Sequence, residues 1–249
     1  MSSERLARFR PLVVSALERA GTSLSEMAGI QIEVTSSSLD LVPLAQVPSS
    51  AGSAEAVAVG IYVAMTGQGQ GHVLLLMDEP VAQQLAGALL FEEPSGVCIT
   101  DELPASALAE AGNVSCSAFM NLLGDATGIL LEVTPPAVVQ DMRGAIVDAI
   151  VADVALLGDE ALVIGTRFNL ISEGESQALD VRFLVIPSPE TLEQLLTRAN
   201  ALAVAASERG LKPDDMVVSR LPRSEAKSVT EVRPTATRDA EGLVGRTSR

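Results

Sequence analysis

DELPASALAEAGNVSCSAFMNLLGDATGILLEVTPP, residues 101–136, holds a helix, a turn, a strand and a double proline in sequence. Ser106, Glu110, Asn113 and Ser117 recur at i, i+4, i+7 and i+11, which places them on one helical face. Leu108, Gly112, Ser115, Phe119 and Leu122 form a second face, apolar or small, suited to packing inward. Small residues crowd the polar stripe at Ala107, Ala109, Ala111 and Gly112, so a partner element can press closely against this helix. The rest of the chain has to explain a core-facing helix that carries a narrow band of carboxylate and carboxamide.

The totals bound the answer. At 249 residues with 47% hydrophobic content, the chain can bury a sizeable core as one large domain or two small ones. With no Trp, one Tyr and five Phe, that core is aliphatic. Of 17 basic and 32 acidic side chains, 8 and 6 lie in residues 211–249, which leaves 9 and 26 for residues 1–210, net −17. So acidic a body disfavours nucleic acid, whose phosphates need clustered Lys and Arg, and disfavours anionic membrane for the same reason. A small phosphorylated substrate would need a basic pocket, and none is visible in the sequence. Cys98 and Cys116 make neither a disulfide framework nor a metal spacing, which fits a reduced cytoplasmic setting. The most apolar run, AIVDAIVADVALL, is interrupted by Asp148 and Asp153 and is too short to span a bilayer.

Read in order, residues 4–27 carry a helical apolar stripe, with Pro11 marking where the helix proper begins. Residues 29–35 alternate as a strand, and an irregular segment follows to residue 53. Residues 55–65 and 72–77 form two strands joined by the GQGQG turn at 67–71, and 79–91 is helix. The order then repeats: helix 101–124, strand 128–134, a segment 138–157 read as a short helix running into a strand, strands 160–171 and 178–186, and helix 188–208 capped by Ser188. Parts repeat literally. GIQIEVT (29–35) matches GILLEVT (128–134) at an offset of 99, and Glu55-Ala56-x-x-x-Gly60 matches Glu160-Ala161-x-x-x-Gly165 at 105.

The expected fold is therefore α/β (α+β): an internally duplicated helix–strand unit with pseudo-twofold symmetry, its mixed or antiparallel sheet packed by two long helices. The pseudo-repeats span about residues 1–95 and 100–208 of a domain covering 1–208, and residues 209–249 read as a disordered tail.

Ordinary catalytic constellations are missing. His72 has no triad companion, GQGQG lacks the Lys and helix of a phosphate loop, and Asp101 and Glu102 suit a helix start. Glu110 and Asn113 remain.

Ser106-x3-Glu110-x2-Asn113-x22-Pro136 resembles the signature of the CheC/CheX/FliY family of chemotaxis phosphatases, and SALAEAGNV resembles that family's helix. The resemblance is sharp over 101–136 and extends in architecture over about residues 1–208. It implies a CheC-like fold and a hydrolase that removes the aspartyl phosphate of a CheY-like response regulator. Glu110 would then anchor the regulator and Asn113 would orient the attacking water, with Ser106 and Pro136 in support. No cofactor would be bound by this chain; Mg²⁺ is expected on the regulator. Carried back by the offset of 99, Glu110 and Asn113 fall on Pro11 and Val14, and an alternative register gives Glu18 and Gly21, so one site is expected, in the second half. The rival reading is a non-catalytic module that binds a regulator, acts as a FliM-like flagellar switch, or binds the deamidase CheD.

Overall fold

The computed structural model describes residues 3–154, 160–172 and 175–208; the expected tail, 209–249, lies outside the described residues. Helix α1 (Ser3–Ala28) is followed by strand β1 (Gln31–Pro43), a short 3-10 helix (Leu44–Gln46) and the one-turn helix α2 (Val47–Ser50). Strands β2 (Val57–Gly67) and β3 (Gly71–Asp78) make a hairpin, and α3 (Glu79–Leu90) closes the first half. The second half runs α4 (Glu102–Thr127), β4 (Leu131–Val133), β5 (Ala137–Met142), α5 (Arg143–Val154), β6 (Glu160–Ser172), β7 (Glu175–Pro187) and α6 (Pro189–Glu208).

The halves correspond element by element. α1 and α4 are both 26 residues long. Each is followed by a glycine in the left-handed conformation, Gly29 at φ 66° and Gly128 at φ 69°, the backbone state that ends many helices. These two glycines open the repeated heptapeptides, so helix termination itself is part of the duplication.

The sheet order is β1-β6-β7-β3-β2, with β4 and β5 sharing the far side of β2. Every described pairing is antiparallel. A pseudo-twofold axis passes between β3 and β7 and exchanges the halves. The first strand of each half does not pair within its own half: β1 pairs β6, and β4 with β5 pairs β2. The axial symmetry reaches into irregularities. β1 has a register shift between Val34 and Ser36, and at the same place, 99 residues on, Thr134-Pro135-Pro136 separate β4 from β5. Thr134 bridges the break: its N–H donates to the Ala64 carbonyl at 3.0 Å and its hydroxyl accepts from the Ala64 N–H at 2.9 Å.

Alternation along the strands divides the core. One face, bearing Ile61, Val73, Leu75, Ile164, Phe183 and Val185, joins the main cluster with Phe9, Leu17, Leu108, Phe119 and Leu196 of helices α1, α4 and α6. The other, bearing Ala58, Leu74, Leu76, Leu184 and Ile186, packs under Val47 of α2 and Ile146 and Val147 of α5.

Four local expectations change. α1 starts at Ser3 and carries Pro11 inside it; Phe9, Leu12 and Val13, all at most 1% exposed, anchor the helix on both sides of the proline and offset its lost hydrogen bond. β1 continues through the Ser-rich stretch to Pro43 because β6 pairs with it along its length, and pairing overrides weak strand propensity. The 128–134 strand shrinks to 131–133, since Gly128 and Ile129 still donate to the Gly124 carbonyl and finish the helix. The 138–157 segment has the reverse order: the β-branched Val138 and Val139 extend along β2, and the helix comes second.

At Gly29 a Cβ would meet no atom within 4 Å, so Gly29→Ala tests backbone strain alone. It should lower unfolding free energy by about 1 kcal/mol in a denaturant titration.

Candidate functional site on helix α4

α4 packs on α1, α3 and strands β2, β4 and β5. Its buried side includes Leu108, Ala111, Gly112, Ser115, Phe119 and Leu122, so all five residues expected to face inward do so. Gly112 sets the depth of the helix, because a Cβ there would collide with Cγ2 of Ile61 on β2, a side chain only 1% exposed. At the C-terminal end, the Arg198 guanidinium of α6 donates to the carbonyls of Thr127 and Gly128 at 3.0 and 2.9 Å. That places a cation at the negative end of the helix dipole and satisfies two terminal carbonyls. The helix is thus fixed in depth and at its end, and its outer face is a rigid platform.

On that face Ser106 and Glu110 are exposed, and Asn113 and Ser117 are half-buried. None of the four side chains hydrogen-bonds or ion-pairs with a described residue. A helix-face carboxylate and carboxamide one turn apart, both left with their polar atoms unspent, offer an acceptor and a donor–acceptor pair to something outside the chain. The stripe also begins earlier than the sequence pattern suggested. Leu103, two turns before Glu110, lies on the same side and is 61% exposed; the visible signal was an apolar residue placed i−3 from Ser106. Pro136 is half-buried and stands immediately before β5, the strand beside α4. Its missing N–H is harmless in the break that the double proline makes in the edge strand.

Other candidate groups have local occupations. His72 Nδ1 lies 2.8 Å from the Tyr62 hydroxyl. Burial pushes the Cys116 thiol up to about 12, so it stays protonated at neutral pH and is no thiolate nucleophile. GQGQG forms the β2–β3 hairpin and docks on the segment after α4: the Gln68 N–H donates to the Leu130 carbonyl at 2.8 Å, and the Leu130 N–H donates to Gln68 Oε1 at 3.0 Å. A Cβ on Gly67 (φ 94°) would stand 2.6 Å from that carbonyl. Among the described residues no helix is long and apolar enough to cross a membrane.

Residues 59–156 match the family described as chemotaxis phosphatase CheX, an interval that contains α4, Glu110, Asn113 and Pro136. The chain is similar to the CheC/CheX/FliY family over this interval. The CheY-P phosphatase CheC of Bacillus subtilis (strain 168) is 24% identical over 187 residues, covering 73% of this chain and 88% of that protein. The crystal structure of Thermotoga maritima FliY superposes with a TM-score of 0.60 at 19% identity, covering 81% of this chain and 98% of that one. FliM of H. pylori, in its complex with SpeE, superposes at 0.54 with 12% identity, covering 81% and 97%.

Within this chain the two long helices are unequal. The matched glycine caps set the 99-residue offset, which puts Pro11 and Val14 of α1 where α4 has Glu110 and Asn113. Both are half-buried. Neither presents a carboxylate or carboxamide, so the polar pair exists on one helix of the duplicated two.

Two predictions test the platform. Glu110→Ala and Asn113→Ala should each leave stability within about 0.5 kcal/mol of wild type, because neither side chain has a partner among the described residues to lose. Gly112→Ala should cost about 1–3 kcal/mol by overpacking against Ile61; thermal melts of the three variants side by side check both.

Proposed function

We propose that this chain is a phosphatase for the aspartyl phosphate of a CheY-like response regulator. The observation that carries the reading is the Glu110–Asn113 pair: two unpartnered polar side chains on an outer helix face whose inner face is locked in place. Similarity to the chemotaxis phosphatase CheX family and to a CheY-P phosphatase supports it.

Phosphoryl transfer from an acyl phosphate needs little covalent help from the enzyme. Its transition state is loose, and catalysis rests on placing the nucleophile in line and stabilising charge. The regulator supplies the phosphoryl group and the Mg²⁺ beside it. Asn113 supplies what remains: its carboxamide oxygen accepts a hydrogen bond from water while its NH₂ donates to a phosphoryl oxygen, holding the water for attack. Glu110, one turn earlier, pairs with a cation of the regulator and sets the docking register. Exposed Leu103 extends the contact along the same face. Ser106 flanks the site, and Pro136 shapes the strand next to it. On this mechanism the chain itself needs no cofactor, and the reaction belongs in the cytoplasm, where phosphorylated regulators are found.

The FliM-like architecture favours a second reading, a module that binds a regulator, or CheD, without hydrolysis. That reading gives Asn113 no task. Phosphate release from a phosphorylated CheY-like regulator, followed with and without the chain, separates the two. Wild type should accelerate release; Asn113→Ala should lose about a hundredfold or more of that acceleration, the scale of a positioned catalytic group, while still binding the regulator. Glu110→Ala should weaken binding. Equal rates with wild type and Asn113→Ala would overturn the catalytic role.

A further inference from the structure

On the sheet face opposite α4, beside α2 and α5, lies a cavity of about 470 Å³. Strand alternation fixes what faces it. On β7, Val181 and Phe183 point into the main core, so Asp180 and Arg182 point to the other side. On β6, Ile164 and Phe168 point to the core, so Gly165 and Arg167 face the cavity. Asp78 ends β3 on that side, and Arg143 opens α5 above it.

The charge of this lining runs against the rest of the molecule. Residues 1–210 hold nine arginines and no lysine among 26 acidic side chains. Three of those arginines, Arg143, Arg167 and Arg182, line this one cavity. Asp78 pairs with Arg143 and Asp180 with Arg167, and the described lining holds three cations and two anions.

Arg143 is 9% exposed. It donates to Asp78 and to the Ala51 carbonyl. A guanidinium has five N–H donors, and these two bonds hold that of Arg143 in a fixed direction at the cavity wall.

Two glycines keep the space open. A Cβ on Gly52 (φ 110°) would collide with the Arg143 guanidinium, and one on Gly165 would stand 2.8 Å from the Ser38 hydroxyl. The volume lies in the range of small-molecule sites.

We propose that this cavity binds a small polyanion carrying phosphate or carboxylate groups, held by Arg143, Arg167 and Arg182, on a site separate from the α4 platform. Guanidinium forks suit both groups through paired hydrogen bonds. The sequence hid the site because its three arginines come from three elements, 15 to 39 residues apart.

The full-length chain should be titrated with pyrophosphate and, separately, with citrate at constant ionic strength, reading binding by calorimetry and Tm by thermal melt. Saturable binding of one or both is expected, with a rise in Tm that saturates in parallel; which probe binds tells phosphate from carboxylate ligands. Arg167→Gln removes an exposed ion pair of small energetic weight, so it should fold normally and bind about tenfold more weakly. Arg182→Gln should do the same or more. Absence of saturable binding for both anions, or undiminished binding in a folded Arg167→Gln variant, would overturn the proposal.

Discussion

The fold depends on strands that pair across the duplication rather than within it. A unit of one helix and three strands has too little sheet to bury its apolar face. Here β1 is held by β6, and β4 with β5 by β2, while β3 and β7 join the halves along the axis. Neither half can therefore complete its sheet alone. The two long helices lie over one continuous surface and over each other, which is why α4 has a supported inner face and an outer face free for recognition.

Much of this was legible in the sequence because duplication leaves a written record. The paired heptapeptides marked corresponding helix ends, and the polar stripe on 101–124 obeyed helical spacing without ambiguity. What escaped notice was decided by tertiary pairing. Ser36, Ser37 and Ser38 have no local reason to be extended, and become strand because β6 lies alongside. Pro11 reads as a boundary and is carried inside a helix because its neighbours are buried on both sides. Segment 138–157 has apolar residues at spacings compatible with either order of strand and helix, and only the pairing of β5 with β2 decides it. The candidate residues Ser106, Glu110 and Asn113 lay within one helix, where spacing fixes geometry. The arginine-lined cavity draws on α5, β6 and β7, and no spacing rule connects them.

Symmetry in this molecule is structural and asymmetry chemical. The two caps at Gly29 and Gly128 have nearly the same φ, and the sheet is a palindrome about its axis, yet Pro11 and Val14 stand where Glu110 and Asn113 do. A helix needs its apolar stripe to hold the fold, and α1 keeps that stripe. Its outer face bears no such constraint, so polar function can be present on one copy and absent on the other without cost to packing.

The interruptions at Val34–Ser36 and at Thr134–Pro136 fall on the two outermost strands of the described sheet, at equivalent points. An outer strand with a regular row of free N–H and C=O groups is a template on which another molecule can build. The register shift on one side and the two prolines on the other cut both rows short. The repeat thus carries, in duplicate, a safeguard against aggregation of sheet on sheet, and that guards a chain whose core is rich in aliphatic residues.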